Sequence, residues 1–442
     1  MDGLVSNSHY AQHLAEQLRR ADRALEQTDY DSLLIASGGL RYQFLDDNPF
    51  PYRPNPLFRS WIPEVSSNDC WIAYKPGQTP TLIYHQPADY WHQVPSDPAG
   101  EWTNHFQVVV SRRREDTPRL LPTDLGRMAI LGPEESAVGE LVPNNPERVL
   151  AILHYHRAAK TAYELELLRA ANRCAARAHL AAEAAFRAGE SEWGIHLRYL
   201  AAAGQSDVQL PYGNIIALNE HAAVLHYQVQ DRAAPTQHRS FLIDAGADFM
   251  GYAADITRSY ASDAGLYADL IAAVEQVQLE LVSSATSGRD YAEIHLQAHR
   301  GLAQTLKDLE ITNISADEAV ATGVSRTFFP HGVGHLLGLQ VHDVGGFQGD
   351  ELGTRTIDKP EGHPYLRLTR KLEPDFVVTI EPGIYFIPML LEELRAGPHA
   401  GAVNWRAVEK LLPFGGVRIE DDVRVTEEAP ENLSRNAFAE VV

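Results

Sequence analysis

The residues able to do chemistry gather in Phe328–Asp343, which reads Phe-Phe-Pro-His-Gly-Val-Gly-His-Leu-Leu-Gly-Leu-Gln-Val-His-Asp. This stretch holds His331, His335 and His342, with glycines at 332, 334 and 338 that let backbone and ligands approach closely. Downstream, Glu381 lies in Thr-Ile-Glu-Pro-Gly and Glu420 in Arg-Ile-Glu-Asp. Upstream, Asp244 ends Phe-Leu-Ile-Asp and Asp255 sits in Ala-Ala-Asp-Ile-Thr-Arg. One histidine and four carboxylates in this order are what a two-metal hydrolytic site needs. His335, with glycines close on both sides, has room for a metal. His331 and His342 are candidates for binding substrate or passing protons.

Each residue taken alone has a plainer reading. A lone aspartate between strands is more often a turn or cap residue. Glu381 and Glu420 each follow an isoleucine in an otherwise apolar strand, where a carboxylate is costly unless paired or bound to metal. A buried salt bridge with Arg418 or Arg370 would serve equally. A core histidine is usually just hydrogen-bonded. The ordered combination of motifs, rather than any single member, makes the pattern specific.

The elements that must position these residues follow from periodicity. Residues 10–28 predict an opening helix, Leu33–Ala36 a buried strand, and 47–63, rich in proline and aromatics, a rigid loop. Trp71–Tyr74 and Thr81–Tyr84 flank a hairpin turn, and Phe106–Val110 and Met128–Leu131 are further strands. Strands interspersed with helices predict an α/β domain over 1–157. Thr161 and Glu164 make a capping box opening an alanine-rich amphipathic helix, and a second domain over 158–442 follows. In it a helix follows Ser191, one carries Tyr267, Leu270, Ile271, Val274, Val277 and Leu281 at helical spacing and ends at Gly288, and another runs over 291–309. Ser240–Ile243, Tyr252–Ser259, Phe376–Ile380, Ile384–Phe386 and Val417–Val425 read as strands. Grouped helices with strands able to form hairpins predict α+β rather than a doubly wound sheet. A hairpin between Asp244 and Asp255 can bring both carboxylates to one face.

Composition bounds the function. The 442 residues carry a formal net charge of −21, which argues against nucleic-acid binding. Two cysteines, far apart, give neither a disulfide framework nor a thiolate metal site. Met1–Gln17 shows no basic flank before an apolar stretch, and no apolar run approaches the ~20 residues of a membrane span. A cytoplasmic enzyme is the expectation.

These stretches resemble the pita-bread metallopeptidases, most closely the proline dipeptidases (prolidases), in the bacterial branch also called organophosphorus acid anhydrolase. The resemblance includes Gln43-Phe-Leu-Asp-Asp47, Pro211-Tyr-Gly-Asn214, Ala223-Val-Leu-His-Tyr227, Phe241-Leu-Ile-Asp-Ala-Gly246 and Asp255-Ile-Thr-Arg258. It implies a pita-bread catalytic domain and a dinuclear site with Asp244, Asp255, His335, Glu381 and Glu420 as ligands. Asp255 and Glu420 would bridge, Asp244 would hold one ion, and His335 with Glu381 the other. The oxygen-rich set favours two Mn²⁺, although Co²⁺, Fe²⁺ or Zn²⁺ can also bind. The implied reaction is hydrolysis of Xaa-Pro dipeptides by a metal-bridging hydroxide, with His331 or His342 at the oxyanion and Glu381 moving the proton. Tyr212, His226 and Arg367 would meet substrate. Arg367 resembles the arginine that grips the dipeptide carboxylate, and Arg418 is the alternative. A homodimer is implied, its N-terminal domain closing a neighbour's site through Trp61, Tyr90 and Trp91, with local core packing as the other reading of these aromatics. Organophosphorus hydrolysis is a side activity of the same branch. Aminopeptidase P, acting on longer Xaa-Pro peptides, and a non-catalytic binding protein of the same fold are the alternatives. Asp375 stands where the family usually has glycine, and Met389–Asn404 is a long variable connection.

Overall fold

The computed structural model describes residues 7–441. The first six residues of the stretch read for a leader lie outside it. By contacts the chain groups into two units, Met1–Leu167 with Gln348–Arg355, and Leu168–Phe347 with Thr356–Val442.

The first unit is built on a mixed five-stranded sheet, β1 (Ser32–Ala36), β2 (Trp71–Tyr74), β3 (Thr81–His85), β4 (Gln107–Ser111) and β5 (Met128–Leu131), in the order β4-β3-β2-β1-β5. The predicted hairpin forms with Trp71 opposite Ile83. β3 and β4 run parallel, as do β1 and β5. Leu34, Ala36, Trp71, Ala73, Ile83 and Ile130 are joined in one buried cluster by Leu121, Leu125, Val138 and Leu141. The 47–63 loop is not wholly irregular. Pro56–Arg59 forms one helical turn because Asn55 accepts from Leu57 N and Pro56 presets the first helical position. Trp61 is buried at 3% exposure and is a core residue, whereas Tyr90 and Trp91 are exposed. Gln348–Arg355 joins this unit through Glu351, which meets Arg23 at 2.5 Å and His156 at 3.0 Å.

The second unit carries helices and several short antiparallel sheets. One sheet contains β6 (Ile215–Leu218), β7 (Ser240–Ala245) and β10 (Ile256–Ala261); β8 (Asp248–Phe249) and β9 (Tyr252–Ala253) form a small pair in the turn between β7 and β10. A second contains β11 (Val377–Ile380), β14 (Asp421–Arg424) and β15 (Glu431–Asn432), and a third pairs β12 (Gly383–Tyr385) with β13 (Gly416–Arg418). An antiparallel bridge between Thr257 and Glu420 links the first sheet to the segment between β13 and β14. Thr161 and Glu164 exchange the two hydrogen bonds of a capping box, at 2.8 and 3.3 Å, and open the helix Ala162–Arg187. The alanines of this helix (Ala178, Ala182, Ala185) permit close packing against Ile216, Leu218, Phe241 and Ile243.

Two predicted strands are broken. Tyr252–Ser259 is interrupted at Ala254–Asp255, and Val417–Val425 at Ile419–Glu420. In both, a carboxylate-bearing residue leaves the regular ladder, and Asp255 N donates instead to the Asp422 carboxylate at 3.1 Å. The helix expected to end at Gly288 runs Leu266–Ser284; Gly288, at φ +83°, lies in the turn before the next helix, Tyr291–Asp308. The long connection between Glu381 and Glu420 holds a helix, Pro388–Ala396. Asp375 adopts φ +65°, the left-handed conformation that favours glycine, and its carboxylate pairs with Arg424 at 2.7 Å.

Candidate active site

The three sheets converge on a group of carboxylates in the second unit. Asp244 sits near the end of β7 opposite Thr257 of β10. Asp255 immediately precedes β10, Glu381 follows β11, and Glu420 lies between β13 and β14. Backbone register aims each side chain from a strand end or a strand break. His335 is brought in by its own backbone: His335 N donates to Thr379 Oγ1 at 3.1 Å, and Thr379 N to His335 O at 3.0 Å. Gly334, at φ +149°, makes that approach possible. A Cβ there would meet Thr379 O and the Tyr291 hydroxyl.

The distances define the cluster. The Tyr212 hydroxyl lies 2.8 Å from Asp244 Oδ1 and 2.5 Å from Asp255 Oδ1. His335 Nε2 is 3.4 Å from Asp255 Oδ2 and 3.8 Å from Glu381 Oε1. One ligand atom each from Asp255, His335 and Glu420 fall within 4.8 Å of one another. Thr257 Oγ1 donates to Glu420 Oε2 at 2.5 Å. The arrangement thus brings Asp244, Asp255, His335, Glu381 and Glu420 together.

Three features fit this group to divalent metal. His335 Nδ1 lies 2.9 Å from the Leu336 carbonyl, which can only accept, so Nδ1 carries a proton and Nε2 is the ring nitrogen turned to the carboxylates. The Tyr212 phenol has one proton and faces two carboxylates, so it can satisfy only one of them by donation. Burial, with the neighbouring carboxylates adding to it, pushes Glu420 well above the usual carboxylate range. Burial likewise raises Asp244, and brings Glu381 to about 7. Asp255 goes the other way: burial raises it, but His335 outweighs that and holds it low. Divalent cations relieve this crowding, and four carboxylates with one imidazole are a hard, oxygen-rich donor set.

The arginines divide. Arg418 is buried and spends its donors on Asp244 Oδ2 (2.6 Å), the Tyr385 hydroxyl (2.8 Å) and Thr257 Oγ1 (3.2 Å). Arg370 pairs with Glu373 at 2.8 Å. Neither therefore follows the simple pairing with Glu381 or Glu420 that sequence alone left open. Arg367 is exposed, and its guanidinium has no hydrogen bond or ion pair among the described residues. It lies close enough to His342 to lower that ring's pKa, behind the effects of burial and of His335.

The histidines also divide. His331 Nδ1 meets Gly332 O at 2.8 Å, and its Nε2 accepts from the Tyr385 hydroxyl at 2.7 Å. Burial and then Arg418 lower its pKa to about 3, so the ring is neutral. Its Nδ1 stands 3.6 Å from Glu381 Oε2. His342 is exposed, and its ring packs edge-on against His335 with centroids 4.4 Å apart. His226 is exposed and contributes to lowering both His331 and His342. Its neighbour Tyr227 is fixed by a 2.6 Å bond to Glu192.

Sequence reasoning missed Tyr385, Thr257 and Asp422. Tyr385 bridges His331 and Arg418, Thr257 bridges Arg418 and Glu420, and Asp422 holds the Asp255 backbone. Tyr385 and Thr257 sit in strands that read as core. For Tyr385 the available signal was a polar tip close after Glu381-Pro-Gly.

This donor set and fold define a metal-dependent hydrolase. Comparison with known proteins gives the family. Residues 8–155 match the model described as Xaa-Pro dipeptidase, N-terminal domain, and residues 166–427 match metallopeptidase family M24. A Xaa-Pro dipeptidase of Xanthomonas campestris pv. campestris (strain B100) is 53% identical over 431 residues, covering 97% of this chain and 98% of that protein. One of Stenotrophomonas maltophilia (strain K279a) is 51% identical over 431 residues, covering 97% of each. Among solved structures, aminopeptidase PepP of Pseudomonas aeruginosa superposes with a TM-score of 0.73 at 23% identity, covering 97% of both chains. E. coli aminopeptidase P with the inhibitor Pro-Leu gives 0.72 at 22%, covering 97% of this chain and 98% of that one. At such identities these two structures speak for the fold alone, α+β of the pita-bread type preceded in the chain by a smaller α/β domain. The chain belongs to metallopeptidase family M24.

Proposed function

We propose that this protein is an Xaa-Pro dipeptidase, hydrolysing dipeptides with proline at the C-terminal position. The observation that carries the reading is 51–53% identity to curated Xaa-Pro dipeptidases over 97% or more of the chain. The exposed guanidinium of Arg367, unpaired among the described residues, supports it. A dipeptide ends in a carboxylate one residue past the scissile bond, and a cation placed there selects it over longer peptides.

Asp244, Asp255, His335, Glu381 and Glu420 hold the metals, proposed as two Mn²⁺ on the hardness of the donors. When bound, they supply Lewis-acid polarisation of the carbonyl before proline. The chain's own residues do the rest. Arg418 and Tyr212 fix the Asp244 carboxylate. Arg367 receives the substrate carboxylate, its planar fork matching two oxygens. Both ring nitrogens of His331 are engaged, so His331 holds its loop and faces Glu381. His342, whose side chain makes no hydrogen bond among the described residues, is the histidine free to donate to the developing oxyanion. Glu381 presents one oxygen toward His335 and the other toward His331, and carries the proton to the leaving imino nitrogen. His226 lines the substrate side.

A homodimer is proposed with the exposed Tyr90 and Trp91 at the contact; buried Trp61 has no part in it. A cytoplasmic location accords with two free, buried thiols, Cys70 and Cys174. Organophosphorus ester cleavage is a secondary activity that the same polarising site can support. The test is metal-depleted protein, restored with single metals and assayed on Xaa-Pro dipeptides and Xaa-Pro-Xaa tripeptides. Cleavage of dipeptides only is expected. Equal cleavage of tripeptides would replace this reading with aminopeptidase P.

A further inference from the structure

A second group of histidines lies outside the carboxylate cluster. His295 and His299 are one turn apart on the helix Tyr291–Asp308, so both point from one face. His363 approaches from the loop after Lys359. The three rings form a nearly equilateral triangle, with centroids 4.7, 4.7 and 4.6 Å apart. One nitrogen from each lies within 4.8 Å of the other two.

The hydrogen bonds of this group are incomplete. His295 and His299 are 1% and 0% exposed. Among the described residues His299 Nε2 is buried without a hydrogen-bond partner, and so is His295 Nδ1. An unsatisfied buried donor or acceptor is destabilising, and leucine would fill the same helix face without that cost. The remaining nitrogens show orientation. His299 Nδ1 contacts Ser325 Oγ at 3.1 Å, which leaves Nε2 as the free nitrogen, and His295 Nε2 lies 2.9 Å from His363 Nδ1.

We propose that His295, His299 and His363 form a metal site separate from the catalytic cluster, for a divalent ion that prefers nitrogen: Zn²⁺, Ni²⁺ or Cu²⁺. No carboxylate or thiol belongs to the group among the described residues, so the hard ions suited to the catalytic carboxylates are disfavoured here. Three neutral imidazoles are the required ligand form. Burial, and then the neighbouring histidines, hold His295 and His299 below their usual range; burial and then Arg326 do so for His363. A tetrahedral ion with bonds of about 2.0–2.1 Å sets its nitrogens about 3.3–3.4 Å apart. The 2.9 Å pair must open slightly and the other distances close, by small ring rotations. Ser325 would orient His299 from behind the ion. The opposing charge is Arg326, which is exposed and reaches Gly362 O at 3.3 Å.

A contrasting group shows what a filled cluster looks like. Glu192, His221 and Asp231 are equally close, but the Glu192 carboxylate already accepts from Leu218 N, His221, Tyr227 and Asp231 N. Each Glu192 oxygen thus already accepts two hydrogen bonds, and the carboxylate at the centre of that group has no lone pair left for an ion.

The site would bear on the active-site loop. Phe329 packs on His299 (4.8 Å) and His295 (5.8 Å) on one side and on His331 (4.8 Å) on the other. An ion here fixes the start of the Phe329–His331 turn without touching the reacting atoms.

The test uses full-length protein already loaded with Mn²⁺. Zn²⁺ is added, the protein is desalted, and metal is counted by elemental analysis for wild type, His363→Ala and His299→Leu. His363 is only half-buried, so its replacement tests the site without emptying the core. Wild type should keep about one ion more per chain than either variant, with affinity in the variants weaker by at least about tenfold. Cu²⁺ gives a second readout. Its electron paramagnetic resonance spectrum should show coupling to several nitrogens in wild type and lose it in His363→Ala, because the catalytic cluster has one imidazole. Equal metal content in all three proteins, or a spectrum with single-nitrogen coupling throughout, would overturn the proposal.

Discussion

Arg367→Ala separates the dipeptidase reading from every purely structural account of this arginine. The side chain is exposed and, among the described residues, makes no hydrogen bond or ion pair, so folding stability should change by no more than about 0.5 kcal/mol. Its value for catalysis lies between two limits. A fully exposed ion pair contributes about 0–1 kcal/mol, and a desolvated, hydrogen-bonded one about 2–5 kcal/mol. Arg367 starts in water and is covered on one side when substrate binds beside His342. About 2 kcal/mol is therefore expected, a loss of roughly 30-fold in kcat/KM on Xaa-Pro, mostly through KM. The amidated substrate, Xaa-Pro-NH₂, lacks the carboxylate and should lose almost nothing. Arg367→Lys restores the charge but not the two parallel hydrogen bonds, and should recover only part of the loss. Steady-state assays on the acid and amide pair, with urea melts of each variant, decide the matter. Equal losses on acid and amide, or no loss on either, would refute the reasoning.

Chelation should abolish activity, and Glu420→Gln should hold fewer than the wild type's about two divalent ions per chain; elemental analysis that finds active, metal-free enzyme would contradict this. Gly334→Ala drives a methyl into Thr379 O and the Tyr291 hydroxyl, so a destabilisation of about 1–3 kcal/mol in urea melts is expected, with weakened metal retention; an unchanged midpoint would remove the close-approach argument. His179 is buried, donates Nε2–H to Ala245 O, and has its pKa lowered to about 3 by burial. Because the folded pKa is below the unfolded one, its contribution is complete above about pH 6.5 and is lost as pH falls from there toward 3. Between pH 6.5 and 5.5 the wild type should lose about 1 kcal/mol more stability than His179→Gln, since each pH unit of full proton uptake is worth about 1.4 kcal/mol; parallel melts of the two proteins across that range would disprove the assignment.

What the sequence made legible is what acts over one turn or one hairpin. Thr161 and Glu164 declare their capping box within four residues, and Trp71–Tyr74 with Thr81–Tyr84 pair across a short turn. The two broken strands were invisible for the opposite reason. Ala-Asp-Ile-Thr and Arg-Ile-Glu-Asp keep a strand-like pattern straight through Asp255 and Glu420, and nothing local says that the ladder stops. It stops because Asp255 N is taken by Asp422, separated from it by 167 positions, and because Thr257 reaches Glu420 across 163. The same holds for Arg418. Its proximity to Glu420 in sequence suggested a partner there or a substrate carboxylate, yet its closest contact is Asp244, 174 positions away. His295 and His299 show both sides of the boundary at once. Their four-residue spacing is readable on any helical wheel, but alone it reads as two core histidines. Only the fold adds His363, 68 positions from His295, and leaves buried ring nitrogens without a hydrogen-bond partner among the described residues. Chemistry-bearing residue types can therefore be recognised one at a time. The partners that decide between a salt bridge, a metal ligand and a substrate contact are chosen by tertiary pairing, and they must be read from the folded chain.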